Sequence, residues 1–511
     1  MISLLVVVLF AAPPDFKSQC QSFTPARIAG DATLTAKRFE PDSAGRPARC
    51  VLHGRIVSSP TSTINFRVDL PAPGAWNTKV LMIGGGGFDG VIPTDDFDFR
   101  RTIQMGLSPE KGNAFVVGST DSGHQGRGEI PEIDYSWAAR NPSALRNHAY
   151  EANHLVLGAM VSLVTSFYGK APTRRYHYGV SNGARQGIMA AQRYPADYDG
   201  ILALAPAISQ TAFAANLTPV LKHVYSDPDN WMDQERLRAY VAAEVAACDL
   251  LDGVSDGVIG NYRNCRFDPA TLACGATKDG NCLTPGQIQS LRMWRGEKRV
   301  NVPLADGLGG YAIYGPGGSV QEWAFLFGKT FAGREAFDFI AAENIVKNGI
   351  TDDPVATVLL HDPEKWASQY LANSELIDAT NPDLSGFFSR GGKLLSMHGA
   401  GDYCVSYDRM GQYYRAVEAR LGNDKTRASF RLFVAPSVGH SMTGAGPEWF
   451  TLFPALEAWV EQGKSPDGLV ATKKEPDGSV RFTRPLCDYG WYPHYRSGDP
   501  AKAGSFECRE N

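Results

Sequence analysis

The stretch RRYHYGVSNGARQGIMAAQRYPADYDGILALAP, Arg174 to Pro206, constrains the fold more than any other part of the chain. A β-prone run ends in a tight glycine-flanked turn, a helix-like segment follows at once, and a second β-prone run closes the unit. Strand, helix, strand in this order implies parallel strands joined by a right-handed crossover. The chain is therefore read as an α/β protein.

The same rhythm extends on both sides. Between residues 50 and 120, runs such as KVLMIGG and AFVVGS alternate with Gly-rich turns, and HAYEANHLVLGAMVSLVTSFYG carries helical spacing up to Gly169. After Pro206 the rhythm stops, and residues 207–385 read as helices, cysteine-stapled loops and aromatic segments. It returns with GGKLLSMHGAGD, the helix-like MGQYYRAVEARLG and the strand FRLFVAP. A length of 511 residues accommodates one large domain with an insertion. The expected organisation is a catalytic-type α/β domain over 20–206 and 386–511, interrupted by a lid domain over 207–385. The net charge of −4 offers no basic excess for nucleic acid.

The N-terminus, MISLLVVVLFAAPPD, has an apolar run too short for a bilayer, which needs roughly 20 residues. Residues 1–19 read as a signal peptide without the usual basic start, the alternative being a buried strand. No membrane partner is expected, and the localisation is secreted or periplasmic. Nine cysteines fall in sequence-local pairs with one left over, and no CxxC zinc pattern appears. In an exported chain this suggests Cys20–Cys50, Cys248–Cys265, Cys274–Cys282 and Cys487–Cys508, leaving Cys404 unpaired.

In GVSNG, Ser181 has small residues on both sides, Gly179 and Gly183, as a nucleophile on a strained strand-to-helix turn requires. The N–H of Asn182 then faces a developing oxyanion. The second donor is expected from LMIGGGGFDG, with Gly86 and Gly87 as candidates because a backbone without side chains approaches a substrate closely. No G-K-[ST] follows, which excludes a phosphate loop. Asp402 ends KLLSMHGAGD and His440 ends FRLFVAPSVGH, with Asp408 a neighbouring alternative for the acid. The order Ser181, Asp402, His440 is that of the α/β-hydrolases, with His440 as base and Asp402 orienting it.

Two further segments stand out. CDLLDGVSDGVIGN gathers Asp249, Asp252 and Asp256 within eight residues, and it reads either as a solvated acidic turn or as a hard-cation loop suited to Ca²⁺. Trp323, Phe325, Phe327 and Phe331 either wall an aryl pocket or form the lid's own core. NLT at Asn216 is a glycosylation acceptor only in a eukaryotic source.

With these residues in hand, the chain resembles the tannase and feruloyl esterase family. The likeness rests on YGVSNGARQGIMAAQRYPADYDGILALAPA, GGGGFDG, PDLSGFFSRGGKLLSMHGAGD and RPLCDYG, and covers nearly all of the chain after the leader. It implies a secreted or periplasmic α/β-hydrolase with a large lid, cleaving esters of aromatic acids. It also implies a structural calcium in the lid, held by Asp249, Asp252, Asp256 and the carbonyls of Val254 and Val258, and no organic cofactor. Where the family usually carries a cystine beside nucleophile and base, this chain has Val180 and Ser441, so packing around Val180 must hold them. The expected function is a feruloyl-type serine esterase acting through an acyl-enzyme. The alternatives are a tannase-like or terephthalate-monoester hydrolase and, in a different class, an inactive hydrolase-fold binding protein. The complete triad argues against the last.

Overall fold

The parallel strands at the centre of the protein are buried along most of their length, because helices and loops cover both of their faces. The computed structural model describes residues 15–43, 47–93, 104–107, 114–275, 280–296, 301–307 and 313–510. The strands are β1 Thr33–Glu40, β2 Arg49–Ser59, β3 Ser62–Pro71, β4 Trp76–Ile83, β5 Ala114–Thr120, β6 Arg174–Val180 and β7 Gly200–Leu204. After a long helical insertion come β8 Lys393–Gly399, β9 Phe430–Ala435, β10 Val470–Lys474, β11 Val480–Pro485, β12 Cys487–Asp488, β13 Trp491–Tyr495 and β14 Phe506–Glu510. Among the described residues, ten strands form one sheet in the order β1-β2-β3-β5-β4-β6-β7-β8-β9-β12. Strands β5, β4, β6, β7, β8 and β9 run parallel, with antiparallel strands at either end.

Alternation along the strands sorts side chains between two layers. Val80 and Met82 of β4, with Ile201 and Ala203 of β7, join one buried cluster. That cluster includes residues of α1 (Phe16–Ser22), α2 (Ala152–Tyr168) and α3 (Asn182–Arg193). Leu81, Ile83, Leu202 and Leu204 point the other way, into a cluster with Phe453, Leu456 and Trp459 of the helix Leu452–Gln462. Gly169 ends α2 with φ 71°, a left-handed cap.

The insertion between β7 and β8 contains α4 (Gln210–Val224), α5 (Gln234–Cys248), α6 (Pro285–Arg295), α7 (Val320–Phe327), α8 (Phe337–Asn344) and α9 (Ala367–Ile377). Its apolar core also takes in Phe88, Tyr135 and Tyr403 from the sheet-bearing part. The insertion is thus packed onto the loops at the carboxyl ends of the strands. Asn216 lies inside α4, is buried, and donates to the Ala212 carbonyl at 2.9 Å, so it is not a surface acceptor for a glycan.

Four disulfides, Cys20–Cys50, Cys248–Cys265, Cys274–Cys282 and Cys487–Cys508, close the chain locally. Cys404 is a buried free thiol. The apolar run 1–14 assigned to the leader lies outside the described residues. Residues 16–19, counted with the leader above, belong to α1, whose Phe16 ring packs edge-on against Phe39 at 5.6 Å and Phe167 at 6.3 Å. Among the described residues no helix is long and apolar enough to cross a membrane.

Candidate active site

Strand β6 delivers Ser181 into the turn before α3 at φ 57°, ψ −120°. Such a backbone costs of order 1–3 kcal/mol for a non-glycine residue and persists only when its surroundings hold it. Here they do. Ser181 N–H donates to the Leu204 carbonyl at 2.9 Å, and the Ser181 carbonyl accepts N–H bonds from Arg185 and Ala207, both at 3.1 Å. The flanking glycines are demanded by close approach. A Cβ on Gly179 would sit 2.2 Å from the Gly183 carbonyl carbon, and one on Gly183 would sit 2.7 Å from the Gly84 and Gly85 oxygens.

The glycine loop after β4 is drawn against the head of α3. Gly84 N–H donates to the Tyr178 carbonyl at 2.9 Å. Gly87 has φ +53°, and a Cβ there would lie 2.2 Å from the Glu132 oxygen, whereas a Cβ on Gly86 meets open space. Gly87, Ser181 and Asn182 line one cavity, of which Gly86 is not a lining residue. Behind the loop, the buried Asp89 carboxylate accepts from Asn182 Nδ2, Ser122 Oγ and Gln186 Nε2. Burial pushes Asp89 up to about 6, against those hydrogen bonds from Ser122 and Gln186. Arg185, fully buried, donates to Asn182 Oδ1 at 2.7 Å and to the carbonyls of His148, Ala149 and Ile377.

Two strands along, Asp402 and His440 meet. His440 Nδ1 lies 2.8 Å from Asp402 Oδ2. Asp402 is fully buried, and Oδ1 accepts the N–H groups of Cys404 at 3.0 Å and Val405 at 2.8 Å. His398, four residues earlier, places Nε2 3.1 Å from both Asp402 Oδ2 and the Val405 carbonyl. Burial alone would raise Asp402. The charge of His440 and the hydrogen bonds from His398 and His440 outweigh it and hold the carboxyl well below its usual range. Asp408, the alternative acid, is turned away onto Tyr489 Oη at 2.5 Å and Arg263 at 3.3 Å.

A partly open cavity of about 50 Å³ lies at Ser181. Its walls are mainly apolar, with Phe88, Ile208, Phe213, Phe337, Ile345 and Val405 prominent. Cys404 and the buried Arg409 complete the side near Asp402. Arg409 Nε donates to Ser209 Oγ at 2.9 Å and Nη1 to Gln412 at 3.1 Å. The four lid aromatics divide: Trp323 and Phe327 are core, and Phe331 stacks on Tyr225 at 6.1 Å. Phe325 faces the His440 ring edge-on at 6.1 Å and Phe337 at 5.6 Å. Val180 is buried in one apolar cluster with Ala205, Val438 and Met442, while Ser441 is exposed.

In the acidic loop, Asp249 accepts Ser255 Oγ at 2.8 Å and the N–H groups of Asp256 at 3.2 Å and Gly257 at 3.0 Å. Asp252 accepts the Val254 N–H at 3.2 Å, Val258 N–H donates to Asp256 Oδ1 at 3.0 Å, and Asp256 Oδ2 is paired with Arg484. Among the described residues, no group of three acidic, His or Cys side chains is placed to hold a metal ion.

Several members of this site carry no local sequence signal. Glu322, on α7, accepts the His440 N–H at 3.1 Å and the Tyr403 N–H at 3.2 Å, yet stands 118 and 81 residues away from them. Arg185 and Asp89 do sit inside the quoted motifs, but apart from the Arg185–Asn182 bond their partners come from separate segments. His398 is the one additional residue a sequence pattern offers, as the histidine four places before Asp402.

Comparison with known proteins gives the family and the fold. The family model described as tannase and feruloyl esterase matches residues 49–509. A probable feruloyl esterase of Arthroderma benhamiae is 30% identical over 86% of this chain and 82% of its own length. A mono(2-hydroxyethyl) terephthalate hydrolase of Piscinibacter sakaiensis is 29% identical over 94% of this chain and 87% of its own. Feruloyl esterase B from Aspergillus oryzae shares the fold with a TM-score of 0.82 at 23% identity, covering 97% of this chain and all of that one.

Proposed function

The chain belongs to the tannase and feruloyl esterase family of carboxylic ester hydrolases, and we propose that it cleaves esters of aromatic carboxylic acids through an acyl-enzyme on Ser181. His440 takes the Ser181 proton as Oγ attacks the ester carbonyl, and Asp402 steadies the imidazolium. The N–H groups of Asn182 and Gly87 receive the oxyanion. Collapse of the tetrahedral intermediate releases the alcohol, which leaves with the proton from His440. Water, activated by His440 in turn, frees the acid and restores Ser181.

One observation carries this reading: a serine held at φ 57°, ψ −120° between strand and helix, opening into an apolar cavity. That backbone is expensive, and it raises a hydroxyl above the sheet. Aromatic walls from Phe88, Phe213 and Phe337 suit a planar acyl group. Feruloyl-type esters lead, with galloyl esters an alternative. A terephthalate-type monoester is the second reading, favoured by Arg409 in the cavity wall, whose guanidinium suits a distal carboxylate.

Hydrolysis of methyl ferulate, methyl gallate and a terephthalate monoester by wild type and Ser181→Ala tests the proposal. Expected is turnover on at least one ester by wild type and none above background by the variant. Equal rates in both overturn Ser181 as the nucleophile, and inertness of both on every ester favours a ligand-binding relative instead.

Two further elements of the reading are export to an oxidising compartment, in keeping with four disulfides, and a structural calcium in the lid. The ion would be held by Asp249, Asp252, Asp256 and the carbonyls of Val254 and Val258, taking Asp256 from Arg484. Its support is the resemblance of this loop to the family's calcium loop, and the three carboxylates would have to close up from their present hydrogen-bonded placement to hold the ion.

A further inference from the structure

Ser181 and His440 are flanked by Val180 and Ser441, side chains that form no covalent tie, so non-covalent contacts must set the base against the nucleophile. The acid follows β8, the base follows β9, and neither loop is regular. His440 makes its side-chain bond to Asp402 through Nδ1. The ring's placement therefore depends on the acid-bearing loop and the base-bearing loop keeping one spacing.

We propose that Glu322, on lid helix α7, is a positioning residue that holds the base-bearing loop and the acid-bearing loop in one register, which rests on the esterase reading above. One carboxylate spans both loops: Oε1 accepts the His440 N–H at 3.1 Å and Oε2 the Tyr403 N–H at 3.2 Å. The fit is close, for a Cβ on Gly439 would lie 2.3 Å from Oε1. The helix cannot easily withdraw. Trp323 packs on Tyr403 with ring centroids 4.6 Å apart, and Tyr403 Oη accepts from Arg295 at 2.9 Å and from Gly318 N–H at 3.1 Å. Arg295 is in turn ion-paired with Glu244.

A purely structural acceptor would not need to be a carboxylate buried beside another carboxylate. Burial and the charge of Asp402 push Glu322 up to about 7, so this arrangement is costly, while His440 and the two N–H donors oppose the shift. The ionisable groups around it are Asp402 and His440, with His398 behind Asp402 and with Cys404 and Asp338 toward the cavity. Without the carboxylate, two N–H groups in the catalytic loops lose their acceptor.

The test compares Glu322→Leu and Glu322→Gln with wild type, counting competent sites with a fluorophosphonate before measuring ester turnover. Expected for leucine is a roughly ten- to hundredfold lower kcat per titrated site, with KM within about threefold, since small misplacement of a catalytic group costs up to about 10². Glutamine keeps an oxygen for His440 and loses one hydrogen bond, so its kcat per site should lie about two- to fivefold below wild type. A leucine variant within about twofold of wild type per site overturns the proposal, as does a loss falling on KM, or a glutamine variant as impaired as leucine. If leucine does not fold, glutamine alone decides, and an unchanged kcat per site rejects the idea. A wild type with neither titratable sites nor turnover would instead remove the esterase reading itself.

Discussion

At the scale of single residues, the two candidate oxyanion glycines separate on steric grounds. Gly87 combines a positive φ with a carbonyl oxygen 2.2 Å from any added Cβ and borders the cavity, whereas Gly86 has free space at that position. Gly87→Ala should therefore displace the loop and lower kcat by about 10², the usual loss for one oxyanion donor. Gly86→Ala should stay within a few-fold of wild type. Steady-state kinetics on any ester that wild type turns over checks both, and equal damage from the two substitutions removes the distinction.

At the scale of elements, the start of α3 is held by a buried cation rather than by a capping side chain. Arg185 reaches the His148 and Ala149 carbonyls ahead of α2 and the Ile377 carbonyl at the end of α9, so one guanidinium ties nucleophile helix, core and lid. Arg185→Met would leave those carbonyls, and the Asn182 side chain, without their donor in a site closed to water. The expected cost is about 3–5 kcal/mol, since removing one member of a buried charged network strands the rest. Denaturant unfolding of the purified variant measures it, and a loss under about 1 kcal/mol would mean water replaces the guanidinium. Such ties mark the limit of what the sequence discloses. The crossover around Ser181, the strand before Asp402 and the strand before His440 are legible because periodicity and glycine placement are local. Glu322 and the partners of Arg185 are not, because a side chain that bonds backbone N–H or C=O groups imposes no residue type on its partner. Phe325 and Trp323 show the same limit inside one helix. Two aromatics two residues apart look equivalent in sequence, yet Trp323 is core and Phe325 faces His440.

At the scale of the whole molecule, the insertion's core takes in Phe88, Tyr135 and Tyr403 of the sheet-bearing part, and stability should register events in either. If the acidic loop takes up calcium, stripping the protein with a chelator should lower Tm by several degrees and added calcium should restore it, because binding to the folded state alone stabilises by mass action. An unmoved Tm in metal-stripped protein counts against the ion. The pH dependence is a separate matter, to which Asp89 contributes at the junction of glycine loop and nucleophile helix. Its carboxyl is pushed up to about 6 by burial, above the value near 3.9 of an unfolded chain. The folded protein thus binds the extra proton between those values, so this contribution to stability is complete below pH 4 and fades as pH rises through about 6. Asp89→Asn cannot titrate. Between pH 5 and pH 8 its Tm should therefore fall less than that of wild type, even if the variant starts lower from losing a hydrogen-bond acceptor to Asn182, Ser122 or Gln186. Scanning calorimetry of both proteins across that range decides it, and parallel Tm profiles would show that Asp89 does not titrate with folding.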